Sequence, residues 1–503
     1  MNSAAIRAAK HPASGPLRRS RCSREIIHGL LVLVAALAAA LVPLRATGQA
    51  TLRERIAELS ATEMDFAPVY PRSERVAGVP VYFLEDRELP LITLYAYFRG
   101  GTSNFGREHY AALAALPGLL RKGGTATLPT DSLDIVIESM ALAMSFGRGG
   151  RSASASINFL SDQLDAAVGL WGEMLREPRF DSVQVAQWRE GELERMRRRR
   201  EDPGAVAIGA FNRIIYGDHP IGWELTPADL APEHLANDRL RHVHAALICP
   251  ENLTLGVVGD IGWERASELL SGLLAEWTPC SGELLEAPSP TLRRDPGVFV
   301  IHREVAQSVV VLGHSNGVRQ GETPEYFASR IGNAILGASG LSSRFTTEIR
   351  TREGLAYDAT SIWTAPADSD GLLGGFTRTK PETTLRAARL MLEGLASMSA
   401  EAPADHEVER ATREIVNGFV FNFAAPSRIV TRAIAYEMMG LSADWLQLFV
   451  RGAQEVTPDA VLEVFRSQVD TARMTYLLLG DTTRFDGSPS ELGAVTVIES
   501  PPW

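Results

Sequence analysis

Cysteine is scarce, and no pair among Cys22, Cys249 and Cys280 has the Cys-x-x-Cys spacing of a metal or redox site. That excludes a zinc knuckle and a thioredoxin-type centre. Cys22 precedes an apolar N-terminal run; Cys249 and Cys280 could pair in an oxidising compartment, and two unpaired buried thiols account for them equally well. Lysine is nearly absent, confined to Lys10, Lys122 and Lys380, which marks a GC-rich ancestry rather than a mechanism. No Gly-x-Ser-x-Gly elbow occurs, and Ser342-Ser343 reads as a turn before a helix, so a serine nucleophile has no support. Positive charge is also short: 50 Lys and Arg stand against 61 Asp and Glu, a net charge of -11. Outside the first 50 residues the balance is 43 against 60, or -17. Such a surface repels nucleic acid and anionic lipid and tolerates basic peptides. After residue 44 no apolar run is long enough to span a bilayer.

What is present is an ordinary globular composition, 45% hydrophobic and 22% charged, in 503 residues. That length calls for two to four domains. Arg18, Arg19, Arg21 and Arg24 precede an apolar run from Leu30 to Leu44, and Ala46-Thr47-Gly48-Gln49-Ala50 follows. Positive region, short apolar region and small residues is the order of a secretory signal, here residues 1–50. An uncleaved anchor is the alternative. The mature protein is expected in the periplasm.

The remainder of the chain reads twice. Val79 to Leu84 and Leu91 to Phe98 are strand-like runs separated by a polar turn, and Gly297 to Ile301 and Gln307 to Leu312 repeat the pattern. Leu253 to Asp260 resembles Met474 to Asp481 at an offset of 221 residues. Between these strands each half carries two helical stretches, Leu164 to Leu175 then Val183 to Arg200, and Leu385 to Leu395 then His406 to Val420. The Arg197 to Arg200 run is a solvated helix face. A period near 220 residues is too long for a solenoid and means a duplicated domain. The class is α+β, with mainly antiparallel sheets covered by helices. The expected units are residues 65–285, a linker at 286–295 marked by Pro288 and Pro290, a second domain at 296–490, and a tail at 491–503.

The second half holds the most specific pattern. Asn333-Ala334-Ile335-Leu336-Gly337 is followed by Gly340-Leu341-Ser342-Ser343-Arg344-Phe345, then by Ile349-Arg350-Thr351-Arg352-Glu353-Gly354-Leu355-Ala356-Tyr357. This arrangement resembles the pitrilysin/insulinase superfamily, with the mitochondrial processing peptidases and the complex III core proteins, over residues 65 to 490. In that family an Arg and the Tyr seven residues on hold the substrate backbone and stabilise charge near the scissile bond. The resemblance places this pair at Arg350 and Tyr357. The chemistry suits the types, because Arg offers a rigid fork of donors and a Tyr hydroxyl can donate to a developing oxyanion. Gly123-Gly124-Thr125, Asp202-Pro203 and His219-Pro220-Ile221-Gly222 resemble weaker family elements, with His219 in a loop-shaping role.

Active members carry His-x-x-Glu-His on the helix before that Gly-Thr, two zinc ligands and a general base, with a more distant Glu completing the set. Here the ligand positions fall on Ala115 and Leu119 with Gly118 at the base. In the alternative register they fall on Ala114 and Gly118 with Pro117 at the base. Neither supplies a donor. His242-x-His244 is the only close histidine pair, His406-Glu407 lacks a second His, and Glu108-His109 lacks a His four residues before. No metal ligands and no catalytic residues are therefore assigned to this chain alone; zinc is expected in a partner. The resemblance implies two homologous α/β-sandwich domains forming a half-clamp. It further implies a non-catalytic, peptide-binding subunit that pairs with a zinc-bearing subunit and supplies Arg350 and Tyr357 in trans. The alternatives are an inert binding or scaffold protein like the complex III core subunits, and a hydrolase with a cryptic site.

Overall fold

The computed structural model describes residues 69–499 apart from Glu283 and Ala424; the N-terminal leader and Cys22 lie outside the described residues. The first half builds a six-stranded sheet from β1 (Arg72–Val76), β2 (Val79–Glu85), β3 (Leu91–Arg99), β4 (Ala143–Arg148), β5 (Ser152–Leu160) and β6 (Leu253–Gly259), in the spatial order β1-β2-β6-β3-β5-β4. The second half repeats it with β7 (Gly297–His302), β8 (Ser308–Asn316), β9 (Ala356–Trp363), β10 (Gly371–Thr379), β11 (Thr475–Gly480) and β12 (Val495–Val497), ordered β12-β7-β11-β8-β10-β9. β6 and β11, the segments matched at an offset of 221, occupy the same place in the two sheets. Each is parallel to one neighbour and antiparallel to the other. The two sheets with covering helices establish the α+β class. The outermost strands depart from the repeat: β1 pairs antiparallel with β2, whereas β12, inside the expected tail, pairs parallel with β7.

Helices α1 (Tyr110–Lys122), α2 (Thr130–Ser139), α3 (Leu164–Arg176), α4 (Ser182–Glu201), α5 (Pro203–Tyr216), α6 (Asn237–Leu247) and α7 (Trp263–Ala275) belong to the first half. The second contributes α8 (Pro324–Asn333), α9 (Thr384–Ala400), α10 (Asp405–Val420), α11 (Pro426–Met439), α12 (Trp445–Gln454) and α13 (Pro458–Gln468). Each half packs most of its helices on one face of its own sheet. In β3 the alternate residues Ile92, Leu94, Ala96 and Phe98 are buried in that core, as period-two alternation requires.

One helix from each half crosses over. α5 lays Ala207, Ala210, Phe211 and Ile215 on Ile301, Val309, Val311, Leu477 and Leu479 of the second sheet. Reciprocally, α11 lays Val430 and Ile434 on Val258, Tyr82, Leu84, Tyr95 and Tyr97 of the first. The approach is close enough that a Cβ on Gly256 would lie 2.7 Å from Val430 Cγ1. Asp202 caps the crossing helix α5, accepting from Gly204 N at 2.8 Å, and Pro203 fills its first position. Coverage on both faces explains why every residue of β8 is buried. The exchange joins the described residues of both halves into one compact unit. Residues between α7 and β7 are tied down at several points. Cys280 is disulfide-bonded to Cys249 at a Cα separation of 5.1 Å, and Leu285 exchanges bonds with Asn104. Arg293 N reaches Ile215 O at 2.8 Å. Among the described residues no helix is long and apolar enough to cross a membrane.

His244 of α6 gives this fold a pH dependence. Its ring is buried against Phe180, with Nε2 2.7 Å from Leu175 O. Burial disfavours the imidazolium and pulls the pKa from 6.5 down to about 4. The unfolded chain takes up a proton near pH 6.5 that the folded chain refuses until about pH 4. This contribution is therefore fully present above pH 6.5 and is lost as pH falls through that window, by about 3 kcal/mol at the acid end. Urea unfolding at pH 7 and pH 4.5 checks it: His244→Gln should show a shallower acid loss than the wild type.

Candidate functional site

The helix in the zinc-motif position is α1, and the two registers differ in burial. Ala115 and Leu119 are core residues, 0% and 1% exposed. Ala114, Pro117 and Gly118 lie on the half-exposed face that α4 overlooks. None of these five residues offers a side-chain donor atom in either register. Pro117 also removes the N–H that would bond Leu113 O within the helix. The Trp188 indole of α4 occupies the adjoining space, so a Cβ on Gly118 would meet Trp188 Cδ1 at 3.1 Å. One turn beyond Trp188, Glu192 is buried but already held by Arg195 at 2.8 and 2.5 Å. These residues do not fit zinc.

His219 is used structurally. His219 Nδ1 accepts from Ile221 N at 3.2 Å and Nε2 meets Pro288 O at 2.9 Å, so both ring nitrogens shape the loop. His109 stacks on His242 with ring centroids 5.0 Å apart, and burial lowers its pKa. Among the described residues one His/Cys/Asp/Glu group has converging donors, Cys249, Glu251 and Cys280, and the disulfide consumes both thiols. Gly123-Gly124-Thr125 closes α1: Gly124 has a φ of +76°, and buried Thr125 accepts from Leu128 N at 3.0 Å.

Arg350 and Tyr357 are brought together. The Asn333 side chain accepts from Ser361 Oγ at 2.6 Å, which pins the end of α8 to β9. A π-helical turn, Ala334–Ala338, then passes over β9 so closely that a Cβ on Gly337 would lie 2.4 Å from Ser361 N. Arg344 forms a two-pronged bond to Glu407 of α10 at 2.9 and 2.8 Å, which anchors the following segment. Those bonds hold the Glu407 carboxyl below its usual pKa. A second π-helical turn, Thr346–Arg352, carries Arg350. Gly354, at φ +65°, reverses the chain into β9. The Arg350 guanidinium carbon ends 4.7 Å from the centre of the Tyr357 ring. Among the described residues Arg350 makes no ion pair, and Tyr357 is 78% exposed. Tyr357 is the second residue of β9, which pairs only with β10, so one side of its backbone has no strand partner among the described residues. An uncompensated cation, a free phenol and an unpaired strand edge can together engage an extended peptide.

Comparison with known proteins agrees with this architecture. Residues 234–415 match the family model described as the peptidase M16 inactive domain. An uncharacterized zinc protease of Streptomyces coelicolor is 25% identical over 370 residues, covering 72% of this chain and 78% of the relative. A non-peptidase homolog of Helicobacter pylori, YmxG, is 19% identical over 405 residues, covering 80% and 92%. Among solved structures, a peptidase M16 inactive domain from Pseudomonas fluorescens superposes with a TM-score of 0.73 at 23% identity, over 82% of this chain and 98% of that one. The periplasmic protease PqqL of Escherichia coli gives a TM-score of 0.68 at 14% identity, over 84% of this chain and 47% of that one.

Proposed function

Because the chain belongs to the pitrilysin/insulinase (M16) superfamily, we propose that it is a non-catalytic, peptide-binding subunit that works beside a zinc-bearing relative in the cell envelope. One observation carries the proposal: the motif of the second half is built for contact while the zinc helix of the first is closed. Arg350 stands without an ion-pair partner among the described residues over an exposed Tyr357, whereas neither register of the α1 motif offers a ligand and Gly118 lies against Trp188. An arginine kept without a carboxylate partner holds its donors for an incoming peptide carbonyl or oxyanion. Each chain then forms a half-clamp, and two enclose a chamber in which Arg350 and Tyr357 act on a peptide held at the partner's zinc. The Cys249–Cys280 disulfide supports an oxidising compartment such as the periplasm.

The second reading is an inert binder or scaffold. It is favoured by the stacking of Arg350 on Tyr357, which lets the pair satisfy itself without substrate. Peptide hydrolysis by the mature chain, alone and mixed with its zinc-motif relative from the same cell, separates the readings when zinc is assayed on each. We expect the chain alone to be zinc-free and inert and to raise the partner's activity many-fold. No activation would leave the scaffold reading; zinc binding and cleavage by the chain alone would overturn both.

A further inference from the structure

The second half also contains a cavity of about 570 Å³ between α9, α10 and the turn Thr346–Arg352. Its charges are balanced: Arg344, Arg352 and Arg410 face Glu348, Glu393 and Glu407. Four of the six are already committed, since Arg344 holds Glu407 and Arg352 holds Glu348 at 2.8 Å. The remaining two, Arg410 and Glu393, make no ion pair among the described residues. The Arg410 Nε atom is buried without a hydrogen-bond partner. Phe345 and Leu390, 1% and 5% exposed, supply an apolar floor.

We propose that this cavity binds a small zwitterion, a free amino acid or dipeptide with an apolar side chain. The ligand carboxylate would meet Arg410, its ammonium would meet Glu393, and its side chain would lie on Leu390. A simple anion would face three carboxylates and a simple cation three guanidiniums, whereas a zwitterion matches both of the uncommitted charges. The size lies within the usual range for small-molecule pockets, about 300–1,000 Å³. Such ligands are the products of peptide hydrolysis. Thr347, Glu348 and Arg352 line the cavity from the same turn that carries Arg350 toward Tyr357. Occupancy therefore bears on the position of Arg350; that consequence rests on the function proposed above, but the binding does not.

The test is calorimetric titration of leucyl-alanine into the full mature chain without any partner, beside its N-acetylated and C-amidated forms. The free dipeptide should bind saturably at millimolar concentration or below, and each blocked form about tenfold more weakly or worse. Arg410→Met and Glu393→Gln should each weaken binding to a similar extent. Glu393 is exposed, so its variant keeps the test valid should Arg410→Met fail to fold. Absence of saturable binding, equal binding of free and blocked forms, or indifference to both variants would overturn the proposal. None of these results involves a zinc partner, so each is separable from failure of the subunit reading.

Discussion

Replacing Arg350 by alanine is expected to lower kcat/KM of the reconstituted pair about 100-fold, roughly 2.7 kcal/mol of transition-state stabilisation, the range found for removal of one preorganised donor at an oxyanion. The folded chain should barely notice. Arg350 makes no ion pair among the described residues, and its ring partner Tyr357 is exposed, so the thermal midpoint should move by no more than about a degree. Arg350→Lys keeps the charge but loses the planar fork, and should recover only part of the loss. Tyr357→Phe keeps the stacking surface and deletes the hydroxyl; its deficit, about tenfold, should fall on kcat rather than KM if the phenol acts only in the transition state. Full activity of the Arg350→Ala pair would remove the role in trans. A fall in activity matched by a fall in midpoint would make the residue structural.

Arg344 is six residues from Arg350 in the same motif, yet its role is different. Its guanidinium is spent on Glu407, and the resulting bracket between the loop and α10 is what presents Arg350. The sequence contains both arginines in one run, and only the resemblance singled out the second. Their division of labour depends on α10, which begins about sixty residues later.

The duplication was readable because it rests on local pattern. β6 and β11 are continuous apolar runs of the kind a doubly covered strand requires, and their spacing survives in the sheets. The helix exchange was not readable. The apolar stripe of α5 shows that the helix is buried on one side, but a stripe does not name the surface it meets, and here that surface belongs to the other sheet. β1 and β12 escaped for the opposite reason: they are short and largely exposed, so they carry no periodic signal. The extra glycine in Gly123-Gly124 admits two alignments of the zinc helix, and neither supplies a metal ligand. The zwitterion cavity draws its walls from three separate segments, and their meeting is a tertiary event.

Converting both Cys249 and Cys280 to serine is expected to cost about 3.5 kcal/mol. Pairing across 31 residues restricts the unfolded chain by about that amount in the loop-entropy account. The position magnifies the consequence. Cys249 is 1% exposed at the end of α6, and Cys280 lies in the segment that leads into the second half. Cys280 N also bonds Glu251 at 3.0 Å. Loss of the bond therefore releases the start of the connection, while Leu285 and Arg293 still hold its later part. The double variant should unfold at a lower temperature and become open to proteolysis between residues 276 and 284 before the sheets melt. Reduction of the wild type should reproduce both effects and leave the double variant unchanged. An unaltered midpoint in the variant, or cleavage no faster than in the oxidised wild type, would mean that the hydrogen bonds along the connection hold it without the disulfide, and that the disulfide adds nothing to the union of the two halves.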